Sequence, residues 1–204
     1  MNTIATYQLE AYNTSKNSDN KIHDDTVAKK FGFEGGLVPG VDVYAYLTHP
    51  AVKTWGQNWL VSGSCDCRLI KPVYDGAIAT VKATFVDAEQ NSMKIKVESA
   101  GQLCAEGTAQ IYRVAPEEPN LEQFSNAPLP RERPPASPKS LPAGSLLGTY
   151  SMTIPEHFAT EYLHNVRETL PVYREKRLVH PLSLIHISEP TRRTPISYAV
   201  FCLK

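Results

Sequence analysis

Residues 18–28 read Ser-Asp-Asn-Lys-Ile-His-Asp-Asp-Thr-Val-Ala, the densest polar constellation in the chain. Ser18, Asn20 and His23 are its candidates for chemistry, His23 because an imidazole changes charge near neutral pH. A plainer reading fits the same residues. Asp24 or Asp25 caps a short helix, His23 hydrogen-bonds the capping carboxylate, and Asn20 makes only its own turn. Residue types alone leave both open. The cysteines offer less. Cys65 and Cys67 sit at i and i+2 and share a strand face, which with Cys104 reads as core. No further Cys or His stands at zinc-site spacing, so no metal is expected. The glycines of Gly35-Gly36-Leu37-Val38-Pro39-Gly40 lack the Lys-Ser/Thr of a phosphate loop, and backbone need accounts for them.

The elements that must position these groups follow from periodicity. Thr3–Glu10 alternates weakly, as an edge strand does. A short helix follows Asp24 or Asp25, with Val27, Ala28 and Phe31 on its inner side and Gly32 at its end. Val41 to Trp55 is apolar nearly all round, which predicts a buried helix that Pro50 kinks or restarts. His49 reads as structural there, and Trp55 and Trp59 as closing the helix end. From Ser64 the pattern changes to alternation. Strands are expected at 64–70, at 77–87 with Ile78 and Thr80 on one face, at 93–99 with Met93, Ile95 and Val97 inward, and at 103–112. One curved antiparallel sheet wrapped on a single buried helix satisfies this order. That is the α+β hot-dog architecture.

Composition narrows the class. Lys+Arg and Asp+Glu both number 21, so the formal charge is zero and there is no electrostatic footprint for nucleic acid. No apolar run reaches the roughly 18 residues of a membrane span. The start, MNTIATYQLEAY, lacks a basic segment followed by an apolar one, and four cysteines without framework spacing fit a reducing compartment. A cytoplasmic protein binding something small is the expectation.

The run Ser18-x-Asn20-x-Ile22-His23, with Ala28 five residues on, resembles the signature of MaoC-like (R)-specific enoyl thioester hydratases. Residues 32–40, GFEGGLVPG, look like that family's entry to its central helix. PVYDG at 72–76 is similar to the turn before its long strands. The likeness covers most of 1–115. It implies His23 as catalytic histidine, Asn20 as supporting amide, and Gly40 with Val41 at the helix start as the place where a thioester carbonyl docks. The implied substrate is a 2-enoyl or 3-hydroxyacyl coenzyme A thioester, with no other cofactor, in a homodimer joined through the sheet or paired with a second hot-dog domain. Departures accompany the likeness. The family's aspartate falls on Ser18, its proline on Lys21, and a frequent histidine on Pro39. A non-catalytic acyl-thioester-binding half of a double hot-dog is therefore an alternative. A hot-dog thioesterase using Asp42 is a third. Lys29, Lys30 and Lys71 are available to coenzyme A phosphates, although solvated lysines are the default.

Eight of the 16 prolines fall between Pro116 and Pro142, so 116–144 reads as an extended linker after a first domain at 1–115. Residues 145–181 resemble the start of a second, truncated hot-dog. Ile154-Pro155-Glu156 opens a helix with a stripe of Phe158, Tyr162, Leu163 and Val166. Arg177-Leu178-Val179-His180-Pro181 echoes Gly36-Leu37-Val38-Pro39-Gly40. From Leu182 the chain, LSLIHISEPTRRTPISYAVFCLK, resembles a translated reading frame of sequencing-adapter DNA, so 182–204 is expected to be non-native. With no partner helix and strands for the second unit, 116–204 is expected to be peripheral.

Overall fold

The computed structural model describes residues 4–16, 23–115 and 153–183, and between them 117, 120, 122, 125–129, 131–132, 134–135, 137–145 and 148–149. The alternation of the third quarter of the chain becomes three long strands, β4 (Ile78–Phe85), β5 (Ser92–Ser99) and β6 (Gln102–Ile111). Ahead of them come β1 (Tyr7–Glu10), α1 (Asp25–Lys30), α2 (Gly40–Trp55), α3 (Gln57–Ser62), β2 (Gly63–Cys65) and β3 (Arg68–Leu69). Behind them come α4 (Glu156–Asn165) and α5 (Val172–Glu175). The strands form one antiparallel sheet in the order β1-β4-β5-β6-β2, with β3 also paired to β6. α2 lies across β4, β5 and β6. The architecture is the α+β hot-dog.

Size complementarity explains how the helix sits so close. Met93, Ile95 and Val97 of β5 are fully buried, and their cross-strand neighbours are small on at least one side. Ile95 lies opposite Ala83 and Gly107, Met93 opposite Ala109, and Val97 opposite Val81 and Ala105. Each large aliphatic buried this way contributes about 1.5–3 kcal/mol. Between Val97 and Glu98 the register shifts by one, Cys104 of β6 being the extra residue, as in a bulge carried by β6. Gly107 has its own reason to be glycine, because a Cβ there would collide with the Asp66 carbonyl between β2 and β3.

Four expectations need correcting. In β4 the buried residues are Ala79, Val81 and Ala83, while Ile78 is 54% exposed, so the strand presents the opposite face to the one its larger side chain suggested. α2 runs through Pro50 without restarting. Pro50 is buried, and the packing around it holds the turn despite the missing N–H. Phe31 points outward at 71% exposure, and only Ala28 of α1 is fully covered. The largest change concerns 153–183. Tyr162, Leu163, Val166, Tyr173 and Leu182 belong to the same buried cluster as α2 and the sheet, so this segment is part of the core rather than peripheral to it.

The segment is tied down by polar contacts as well. Arg167 adopts φ 57°, and the Glu168 N–H donates to Leu163 O at 2.8 Å, closing α4 with a left-handed turn. The Tyr7 hydroxyl donates to Arg167 O, and Arg167 Nε donates to Glu10 O at 3.2 Å, which pins the turn to β1. Described residues between 117 and 149 carry no α-helix or strand.

Candidate functional site

Ser18 and Asn20 lie outside the described residues, so the candidate centre is visible through His23, Gly40 and Val41. Asp24 caps α1, its side chain accepting from Thr26 N at 2.9 Å and Val27 N at 3.1 Å. The capping part of the plainer reading is therefore present. Yet His23 does not bond that cap through its ring. Its Nδ1 lies 2.7 Å from the carbonyl of Leu37, three residues before α2 begins. A carbonyl only accepts, so Nδ1 carries the proton, and a neutral ring leaves Nε2 as an acceptor.

The backbone around His23 is held from two further directions. Asn13, only 1% exposed, donates Nδ2–H to His23 O at 2.8 Å and its own N–H to Asp75 Oδ1 at 2.8 Å. Gly36 N–H donates to Asp25 Oδ1 at 2.5 Å. A Cβ at Gly36 would stand 2.7 Å from His23 O and 2.9 Å from Asp25 Oδ1, so the close approach of these two loops requires glycine. Asn13 and Asp75 are the residues that sequence reasoning missed here. Asn13 opens a polar loop and bonds Ser15 N through its own Oδ1, and that local turn was its only sequence signal.

At the start of α2 the N-cap is Pro39, and among the described residues no side chain caps the helix. Gly40 is half-buried and Val41 packs partly into the core. The space over Gly40, the implied docking place of the carbonyl, is not open. Leu69 of β3 reaches across so that a Cβ on Gly40 would collide with its Cδ1, although Leu69 itself is 53% exposed. Asp42, in the first turn, is fully buried. Thr14 Oγ1 donates to its Oδ2 at 2.6 Å and the Tyr162 hydroxyl to its Oδ1 at 3.4 Å.

A cleft of about 370 Å³ adjoins this region, lined by Gly35, Gly36, Lys71, Tyr74, Asp75 and Cys104 among others; His23 is not in its wall. Lys71 Nζ donates there to Gln102 Oε1 at 2.6 Å, while Lys29 and Lys30 sit exposed in the last turn of α1. A larger hollow, about 570 Å³, lies on the sheet between Thr6, Gln8, Thr80, Lys82 and Glu98 and meets the cleft at Ser99 and Ala100, with neither His23 nor Gly40 in its wall. Burial, and then the neighbouring Asp66 carboxylate, push the thiols of Cys65 and Cys67 up to about 12 and about 11. At neutral pH both stay protonated, which suits packing rather than nucleophilic chemistry. Among the described residues no group of three His, Cys, Asp or Glu is placed to hold a metal ion. Among them, too, no helix is long and apolar enough to cross a membrane.

No protein-family model matches the chain, and no curated protein matches it. Solved structures are similar in fold. The unliganded R-hydratase PhaJ1 from Pseudomonas aeruginosa is 21% identical, over 57% of this chain and 81% of that one, with a TM-score of 0.41. The (R)-hydratase from A. caviae involved in PHA biosynthesis is 15% identical over 55% and 98%, with a TM-score of 0.38. A chain of the ChsH1–ChsH2 complex from Mycobacterium tuberculosis is 14% identical over 54% and 96%, with a TM-score of 0.43. Likenesses this distant identify no activity for this chain.

Proposed function

We propose that this protein binds acyl-coenzyme A thioesters and belongs functionally with the enoyl thioester hydratases and dehydratases, acting on 2-enoyl or 3-hydroxyacyl-CoA. The observation that carries the reading is the Nδ1–H bond of His23 to Leu37 O, which fixes one tautomer beside the segment entering α2. Nε2 is then the group to take a proton from water as the water oxygen bonds the β-carbon. The π electrons move toward the thioester carbonyl, and the proton taken up by Nε2 passes on to the α-carbon, which returns the imidazole to its starting state. Asn20 supports the water. Gly40 and Val41 offer the first-turn N–H groups of α2 to the carbonyl oxygen, where the helix dipole favours developing negative charge.

A second reading, a non-catalytic thioester-binding unit, is favoured by two observations. Ser18 stands where a carboxylate base is needed, and serine is a poor base without an activating neighbour. Leu69 also fills the space over Gly40. The thioesterase alternative draws no support from Asp42, whose two oxygens are engaged in the interior. Turnover of a short 2-enoyl-CoA by the wild type and by His23→Ala separates the two principal readings. Loss of at least a hundredfold in kcat with binding retained supports hydration. Binding without turnover in either protein supports the second reading, and absence of thioester binding sinks both.

A further inference from the structure

The buried polar groups on the face of α2 that meets 153–183 take no part in the proposed chemistry. His180 is 1% exposed. Its Nδ1 accepts the Leu182 N–H at 3.2 Å, so in the docked segment that nitrogen has no proton. The ring proton sits on Nε2, 3.5 Å from Thr48 Oγ1, whose own proton goes to Ala45 O at 2.8 Å. The ring is packed between Tyr173, stacked at 5.3 Å, and Tyr162 at 5.5 Å. The Ser183 hydroxyl holds His180 O at 2.7 Å.

We propose that residues 153–183 form a strap over α2 that is released when His180 takes a second proton. That proton can only go to Nδ1, and an N–H there faces the Leu182 N–H donor head-on. Two donors cannot share the bond, so protonation of His180 is disfavoured while the chain at 180–183 stays docked against Thr48 and is favoured once it moves away. The charged groups facing His180 are Glu168, from the turn after α4, and Asp42, from α2. Both favour the cation, and the titratable hydroxyls of Tyr162 and Tyr173 border it from α4 and α5. Burial outweighs the two carboxylates and pulls the His180 pKa down to about 4. The released strap frees the ring to titrate near its ordinary 6.5. Opening is thus favoured as pH falls below 6.5, and the gain continues until the docked form also protonates near 4. The hydroxyl of Tyr173 is buried and, among the described residues, without a partner, so it adds no polar bond that would resist this.

Hydrogen exchange of the full chain tests the strap directly, with amides of α4 and of 178–182 compared against those of β5. After correction for intrinsic rates, the opening constant of the strap rises about tenfold per pH unit between 6.5 and 4, so about 30-fold at pH 5 relative to pH 7. β5 protection stays unchanged over that range. Between pH 7 and pH 5 the Glu168 carboxyl, held below its ordinary 4.5, stays largely ionised, which keeps it out of the comparison. His180→Asn places an amide oxygen where Nδ1 accepts, so Leu182 keeps its partner and nothing titrates; the 30-fold rise disappears. Equal strap protection at pH 7 and pH 5 in the wild type overturns the proposal. So does a pH response that survives in His180→Asn, or one in which β5 opens with the strap.

Discussion

His49 Nδ1 stands 3.1 Å from both carboxylate oxygens of Glu168, a residue 119 positions further along the chain. Both side chains are almost fully buried, and the Tyr7 ring stacks on the imidazole at 3.7 Å. Leu170 N–H donates to the same carboxylate at 2.7 Å. Desolvating these groups is costly, so the pair fixes where the strap docks more than it adds net stability. Removing one partner is the damaging change. We expect His49→Ala to lower unfolding free energy by about 3–5 kcal/mol, because the buried Glu168 carboxylate loses its charge partner and keeps only the Leu170 N–H. The double change His49→Leu with Glu168→Leu should cost less than His49→Ala alone. Urea midpoints of the three proteins check this, and a double variant weaker than the single one refutes it.

The same carboxylate sets an acid limit. Burial works to raise the Glu168 pKa, but the His49 hydrogen bond and charge, the Leu170 N–H and His180 outweigh it and hold it below the ordinary 4.5. A carboxyl with a depressed folded pKa gives stability that is fully present above its unfolded value and is lost as pH falls through its folded value. The stability difference between wild type and Glu168→Gln should therefore be constant from pH 7 to about pH 5 and shrink below 4.5. Thermal melts across pH 3–7 measure it. A difference that grows on acidification contradicts the assignment.

How far these features could be read beforehand depends on the range of the interaction. Met93, Ile95 and Val97 were legible because strand alternation is local and their partners are apolar. β4 was misread because Ile78 outweighs Ala79 and Ala83 in hydrophobicity, whereas the helix above needs small residues beneath it. The strap was missed for a different reason. Its anchors pair Tyr7 with Arg167, His49 with Glu168 and Thr48 with His180, and no local period reports a contact across more than a hundred residues. Around His23 the cap at Asp24 was legible. The bond to Leu37 O and the support from Asn13 arise only when two loops meet.

Gly36 is where those loops touch, so it tests whether the support matters. An added methyl would press on His23 O, Asp25 Oδ1 and Asn13 Nδ2, at 2.7, 2.9 and 3.1 Å. Two of these belong to chain or to a carboxylate already bonded to Gly36 N, so the loops must separate. Gly36→Ala should cost about 1–3 kcal/mol in stability. It should also lower kcat for a 2-enoyl-CoA if His23 is the acid–base group, since a small displacement is enough to spoil proton transfer. Unchanged stability would show that the loops yield freely. Activity retained despite lost stability would remove His23 from the chemistry.

Leu69 and Gly40 give the remaining prediction, and here the order of substitutions decides the result. A methyl at Gly40 meets only the tip of the Leu69 side chain, and Leu69 is 53% exposed on a two-residue strand, so it has room to swing outward. Gly40→Ala alone should cost about 1 kcal/mol or less, the conflict being with a flexible group. In a Leu69→Ala background the conflict is gone. Alanine at a helix start then restricts the unfolded chain more than glycine does, so the second substitution should be neutral or stabilising by up to about 1 kcal/mol. On the proposed function, the two also differ in ligand binding. Leu69→Ala clears the uncapped end of α2 and should tighten binding of a short 2-enoyl-CoA by about three- to tenfold. Adding Gly40→Ala refills the space and should cancel that gain. Denaturation and calorimetric titration of the four proteins complete the cycle. A Leu69→Ala variant that binds the thioester no better than wild type would show that the carbonyl does not dock over Gly40.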